Sequence, residues 1–114
     1  MYIADGKTNG PAFSWPDGKR IAVMVTFDYD AEFLRISRAK SKGTSIGFTD
    51  FSRGQYGPHE GLARCLNMLD TMNIKSTFFV PGAVIETYRD TVEEIHRRGH
   101  ELACHGYRHE SDPE

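Results

Sequence analysis

The sequence predicts an α/β fold built on a parallel sheet, and three observations carry that expectation. Short apolar runs alternate with amphipathic helical stretches in the order β-loop-α-β-α-β. The first run, Ile21-Ala22-Val23-Met24-Val25-Thr26-Phe27, is almost wholly apolar and rich in β-branched residues, the pattern of a strand buried on both faces. Each of the three runs also leads into residues of unusual chemistry. Right-handed crossovers make the strands parallel, and parallel folds gather their chemistry beyond the carboxyl ends of the strands.

Taken in order, residues 1–20 carry Gly6, Gly10, Pro11, Pro16 and Gly18 and read as an irregular lead-in. The first strand runs into Asp28-Tyr29-Asp30. Residues 33–57 are polar, with Gly43, Gly47, Gly54 and Gly57 and no sustained period, so a long functional loop is expected there. A helix is expected from Pro58, with an apolar stripe of Leu62, Cys65, Leu66, Leu69 and Met72, ending at Asn73. The second strand is Lys75 to Val80, stopped by Pro81-Gly82. A second helical stretch puts Ile85, Tyr88, Val92 and Ile95 on one side, with a restart at Asp90, where Asp90 and Glu93 match a capping box. Gly99 ends it. The third strand, Glu101 to Cys104, runs into His105, and Ser111-Asp112-Pro113-Glu114 reads as a further helix start. Three strands with two crossover helices leave sheet edges bare, so residues 1–114 are expected to be the N-terminal part of one larger barrel domain, with association into homo-oligomers as a consequence of the bare edges.

Composition bounds the function. With 39% apolar and 26% charged residues among 114, the chain is an ordinary globular one. A net charge of −2 offers no footprint for nucleic acid or anionic membrane, and Arg35, Arg38, Lys40 and Lys42 lie in a polar stretch expected to be a solvated loop. Neither a basic start followed by an apolar run nor a stretch of ~18 apolar residues is visible, so the cytoplasm is the expected compartment. Cys65 and Cys104 make no disulfide framework, and Cys104 is expected to be a small core thiol. His59, His96 and His100 read as surface residues.

The chemistry lies elsewhere. Residues two apart on a strand share a side, which groups Asp28, Asp30 and Glu32 and turns Tyr29 away. His105 and His109 share a face if the chain is helical there; otherwise Gly106 permits a turn that joins them. Two imidazoles and a carboxylate make a metal site with positions left for water and substrate, suited to zinc, iron, cobalt or manganese. A second carboxylate beside them supplies a base. No glycine-rich phosphate loop follows the first strand, which excludes a nucleotide site of that kind. A non-catalytic metal- or carbohydrate-binding fragment is the alternative from a different class.

Thr26-Phe27-Asp28-Tyr29-Asp30 and His105-Gly106-Tyr107-Arg108-His109 resemble the first two motifs of the NodB-type polysaccharide deacetylases, carbohydrate esterase family 4. Tyr56-Gly57 and the run from Lys75 to Gly82 fit the same family, and the likeness covers residues 20 to 110. The resemblance implies a distorted (β/α) barrel and hydrolysis of non-peptide C–N bonds. It also implies a divalent metal, usually zinc, held by Asp30, His105 and His109, with Asp28 as general base. Substrate contacts are expected at Tyr29 and Tyr56, with a backbone N–H near Tyr29 for the oxyanion. The general acid would be a histidine beyond residue 114, so little activity is expected of these residues alone. Most members read Thr-Phe-Asp-Asp-Gly, whereas here Tyr29 separates the aspartates and Ala31-Glu32 follows. That form resembles the branch holding cyclic-imide and allantoinase-like hydrolases and peptidoglycan-deacetylase-like proteins. The expected substrate is therefore an N-acetylated carbohydrate or a small cyclic imide or ureide.

Overall fold

Three short parallel strands, β1 (Thr26–Asp28), β2 (Thr77–Val80) and β3 (Glu101–Cys104), pair in the order β1-β2-β3 in the computed structural model, which describes residues 14–110. The register sets Asp28 beside Phe79 and Val80 beside Cys104, so the strands end at one rim. Residues 1–13 of the expected lead-in, including the segment read for a signal peptide, lie outside the described residues, as does the helix start at Ser111 to Glu114. No helix among the described residues is long and apolar enough to cross a membrane.

Between β1 and β2 lie α1 (Phe33–Ser41), α2 (Phe48–Tyr56), a π-turn (Gly57–Gly61) and α3 (Leu62–Met72). The loop expected over 33–57 is thus largely helical. Neither helix advertises itself, because α1 buries no residue and α2 buries only Gly54, leaving no apolar stripe to read. Pro58 does not open a helix but sits inside a helical run from Phe48 to Met72. The π-turn widens the spiral around the proline, which has no N–H to give. Beyond it, Leu62, Leu66 and Leu69 point inward while Met72 is exposed, and Asn73 ends α3 in the left-handed conformation expected of it.

After β2 come α4 (Gly82–Thr87) and α5 (Arg89–Arg97). The break falls at Tyr88 (φ −124°, ψ 43°), and no side chain caps α5, so the expected capping box at Asp90 does not form. Leu62, Leu66, Leu69, Phe78, Val80, Val84, Val92 and Ile95 make one buried cluster, with Phe27 stacked on Phe78 at 5.0 Å. The neighbouring Thr77 and Phe79, alternating with these along β2, are only half-buried. The first strand departs from expectation in the same way. Only Thr26 to Asp28 are paired, and Ile21, Val23 and Met24 are 78%, 83% and 86% exposed. The ladder with β2 reaches back no further than the Thr77 N–H bond to the Val25 carbonyl.

His100, expected on the surface, is buried. Its Nδ1 accepts the Ser76 N–H at 3.2 Å, and burial pushes its pKa below the usual 6.5. The unfolded chain then binds a proton that the folded chain resists. The contribution is intact above the unfolded value near 6.5 and fades as pH falls from there toward the folded pKa. Melting curves at pH 7.5 and 5.5 should show a drop that His100→Asn flattens, since asparagine accepts the same bond without titrating. An equal drop in both proteins would contradict this.

Candidate metal centre

The β1 rim is shaped by a change of backbone hand. The Tyr29 N–H still joins the ladder, donating to the Phe79 carbonyl at 2.9 Å. Ala31 then adopts φ +50°, a left-handed conformation costing a non-glycine residue roughly 1–2 kcal/mol. The Asp30 carbonyl accepts from Phe33 N–H and starts α1. This turn overrides strand alternation. Asp30 stays at the rim, its side chain 12% exposed, but Glu32 swings inward to 4% exposure instead of joining the aspartates.

The β3 rim is a turn, not a helix. Gly106 takes φ +70° and His109 φ +57°. The Gly106 and Tyr107 carbonyls accept from Gly82 and Ala83 N–H at 3.0 and 2.8 Å, the otherwise unpaired donors at the start of α4. The Glu110 carboxylate accepts from the Tyr107 and Arg108 N–H groups at 3.1 and 3.0 Å, which hold its pKa below the usual carboxylate range. Ser37 of α1 donates to the His109 carbonyl at 2.8 Å and ties the two rims together. Tyr107 lies so close over Gly82 that a Cβ there would meet its ring at 2.6 Å. Gly82→Ala should therefore push the loop outward and weaken metal binding at least tenfold, as read by chelator competition. Unchanged affinity would show that the loop gives way without moving its histidines.

Asp30, His105 and His109 converge. Asp30 Oδ1 lies 3.5 Å from His105 Nε2 and Asp30 Oδ2 lies 3.7 Å from His109 Nε2. The two imidazoles stand at 87° with centroids 4.7 Å apart, and Phe79 meets His105 edge-on. These separations are too long for good hydrogen bonds. Donors sharing a zinc ion at ~2.0–2.2 Å in a tetrahedral set are about 3.3–3.6 Å apart; the 3.5 Å contact falls in that range and the 3.7 Å contact, made by the other Asp30 oxygen, lies just beyond it. Among the described residues, Asp30 Oδ1 and His105 Nε2 are buried with no hydrogen-bond partner, an arrangement that costs free energy unless something else engages them. Among the described residues, these three are the side chains that bring potential ligand atoms within 4.8 Å of one another. The donor set fits a divalent ion of the zinc type. Burial raises the pKa of Asp30, His109 and His105 pull it down, and nearby Asp28 raises it again. Asp28 itself is exposed at the strand end and has no hydrogen-bond partner among the described residues.

One expected substrate contact, Tyr29, falls elsewhere. The Tyr29 side chain is 6% exposed and belongs to the core. Its hydroxyl bonds Thr91 Oγ1 at 2.8 Å, and burial pushes its pKa up to about 12. Its N–H is held in the ladder, so neither group is offered to a substrate or an oxyanion. Tyr56 is 53% exposed on α2 with its ring against Gly61. Cys104, expected as a core thiol, is exposed at β3, which pairs with β2 alone among the described residues. Around the site, sequence reasoning missed Ser37 and the close approach at Gly82, and placed Glu32 beside the aspartates where the structure turns it inward. Only the Pro81-Gly82 pair was signalled, as a strand stop.

Comparison with known proteins gives a consistent picture. The family model described as polysaccharide deacetylase matches residues 16–113. The peptidoglycan deacetylase of Helicobacter pylori is 37% identical over 93 residues, spanning 82% of this chain and 31% of its own length. A peptidoglycan deacetylase-like protein of Gibberella zeae is 32% identical over 94 residues, spanning 81% of this chain and 27% of its own length. A crystal structure assigned as a polysaccharide deacetylase from Mycobacterium smegmatis superposes with a TM-score of 0.76 at 42% identity, covering 91% of this chain and 36% of that one. The chain thus spans about a third of the length of these relatives.

Proposed function

We propose that this chain, which belongs to the polysaccharide deacetylase family, carries the metal centre of a hydrolase that removes acetyl groups from N-acetylated carbohydrate. In this reading Asp30, His105 and His109 hold a divalent ion, zinc by the chemistry of the donor set, and Asp28 is the base. The observation that carries it is the pair of buried atoms Asp30 Oδ1 and His105 Nε2, facing each other at 3.5 Å with no hydrogen bond to either among the described residues, with His109 alongside.

An ion bound there supplies Lewis acidity that activates a water and polarises an amide carbonyl. The remaining work falls to the chain. Asp28, exposed at the rim with no side-chain hydrogen bond among the described residues, accepts the proton of the attacking water. Burial and the turn at Ala31 hold Asp30 in place as a ligand, so its carboxylate stays distinct in role from that of Asp28. Because the Tyr29 N–H is spent on Phe79, the developing oxyanion cannot take a bond from that group itself.

The relatives named as peptidoglycan deacetylases favour an N-acetyl sugar. The aspartates separated by Tyr29 favour the second reading, a cyclic imide or ureide. Assay of the full-length protein on acetylated chito-oligosaccharides, succinimide and allantoin tests the choice. Acetate release from the oligosaccharide alone supports deacetylation; turnover confined to the ring compounds transfers the site to the second reading.

A further inference from the structure

We infer that Glu32 and Tyr88 form an internal clamp that positions Asp30 for metal binding, an inference that rests on the reading of Asp30, His105 and His109 as ligands. Glu32 is 4% exposed, and both carboxylate oxygens lie within reach of the Tyr88 hydroxyl, at 3.0 and 2.9 Å. Three residues earlier, the Tyr29 hydroxyl bonds Thr91 Oγ1, which in turn donates to the Tyr88 carbonyl at 2.7 Å. The segment from Tyr29 to Glu32 is therefore fastened at both ends to one place in the fold, the break between α4 and α5 at Tyr88. Asp30 and Ala31 lie between the fastenings, and the positive φ of Ala31 turns Asp30 out toward the imidazoles as Glu32 turns in.

Helix α2 closes the third side. A Cβ added at Gly54 would lie 2.4 Å from the Glu32 Cα, so the helix crosses directly over this residue. Glu32 thus sits where three segments meet, and no cation pairs with it among the described residues. A buried carboxyl whose side chain meets a single hydroxyl donor is a poor way to gain stability; an apolar residue of similar size would serve better. What the arrangement provides is a fixed direction for the peptide that carries Asp30. Partners that orient a metal ligand typically set affinity by 10- to 100-fold. Glu32 and Tyr88 act through Asp30 and touch neither substrate nor ion.

The test measures zinc affinity by chelator competition on the full-length protein carrying Tyr88→Phe, Glu32→Ala, Glu32→Gln or Ile95→Val. Melting temperatures and amide hydrogen exchange across residues 29–33 are recorded without metal. Tyr88→Phe and Glu32→Ala are expected to weaken zinc binding 10- to 100-fold and to speed exchange in that segment. Glu32→Gln, which still accepts from Tyr88, restores most of the affinity. Ile95→Val lowers the melting temperature through the core but leaves zinc affinity alone. Should Glu32→Ala fail to fold, Tyr88→Phe removes one oxygen and keeps the ring. Wild-type zinc affinity with unchanged exchange in Tyr88→Phe would overturn the clamp, as would a loss matched by Ile95→Val. Failure of the unmodified protein to take up zinc would instead overturn the ligand reading beneath it.

Discussion

Asp30→Ala and His105→Ala are each expected to abolish stoichiometric zinc uptake. Both remove an atom that is buried without a partner, and each leaves only two of three donors at the rim. Loss of a group that merely orients a ligand costs 10- to 100-fold in affinity, so loss of a ligand itself should exceed about 100-fold. Stability should move the other way. In the metal-free protein Asp30 is a desolvated carboxyl, its pKa raised by burial, and alanine relieves that cost. Metal analysis after dialysis, read beside the melting temperature of the apo form, separates the two effects. Zinc bound at one equivalent by both variants would remove Asp30 and His105 from the ligand set.

The second large effect is catalytic. Asp28→Asn keeps the shape of the side chain and should spare metal uptake, since Asp28 stands at the exposed strand end outside the convergent trio. An amide cannot take the water's proton, and general-base catalysis contributes about 10²- to 10⁴-fold. Acetate release by the full-length protein is expected to fall by that factor in kcat, with KM little changed. A variant that loses zinc together with activity would make Asp28 a ligand; one that keeps full activity would assign the base elsewhere.

How far the sequence anticipates the molecule depends on where the information lies. The rim is legible because strand ends announce themselves locally: Pro81-Gly82 stops β2, and β3 covers the expected Glu101–Cys104. The pairing of His105 with His109 is also local, since Gly106 permits the turn. Helices α1 and α2 were hidden because helical periodicity reflects burial and they bury almost nothing. Glu32 misled for a different reason. Strand alternation places it with Asp28 and Asp30, but after the left-handed turn at Ala31 it meets Tyr88, 56 residues beyond it, and lies under Gly54 of α2. Tyr29 shows both sides of this. Alternation correctly turned its ring away from the aspartates, yet its N–H was committed to Phe79 by a pairing that only the assembled sheet reveals.

The most direct test of the central claim is a crystal structure of the protein grown with zinc, with the ion located by its anomalous scattering. A single peak is expected at the rim, ligated by an Asp30 carboxylate oxygen and by the Nε2 atoms of His105 and His109, with Asp28 nearby but unbound. A peak held by other side chains, or these three dispersed in ample zinc with no ion among them, would contradict it.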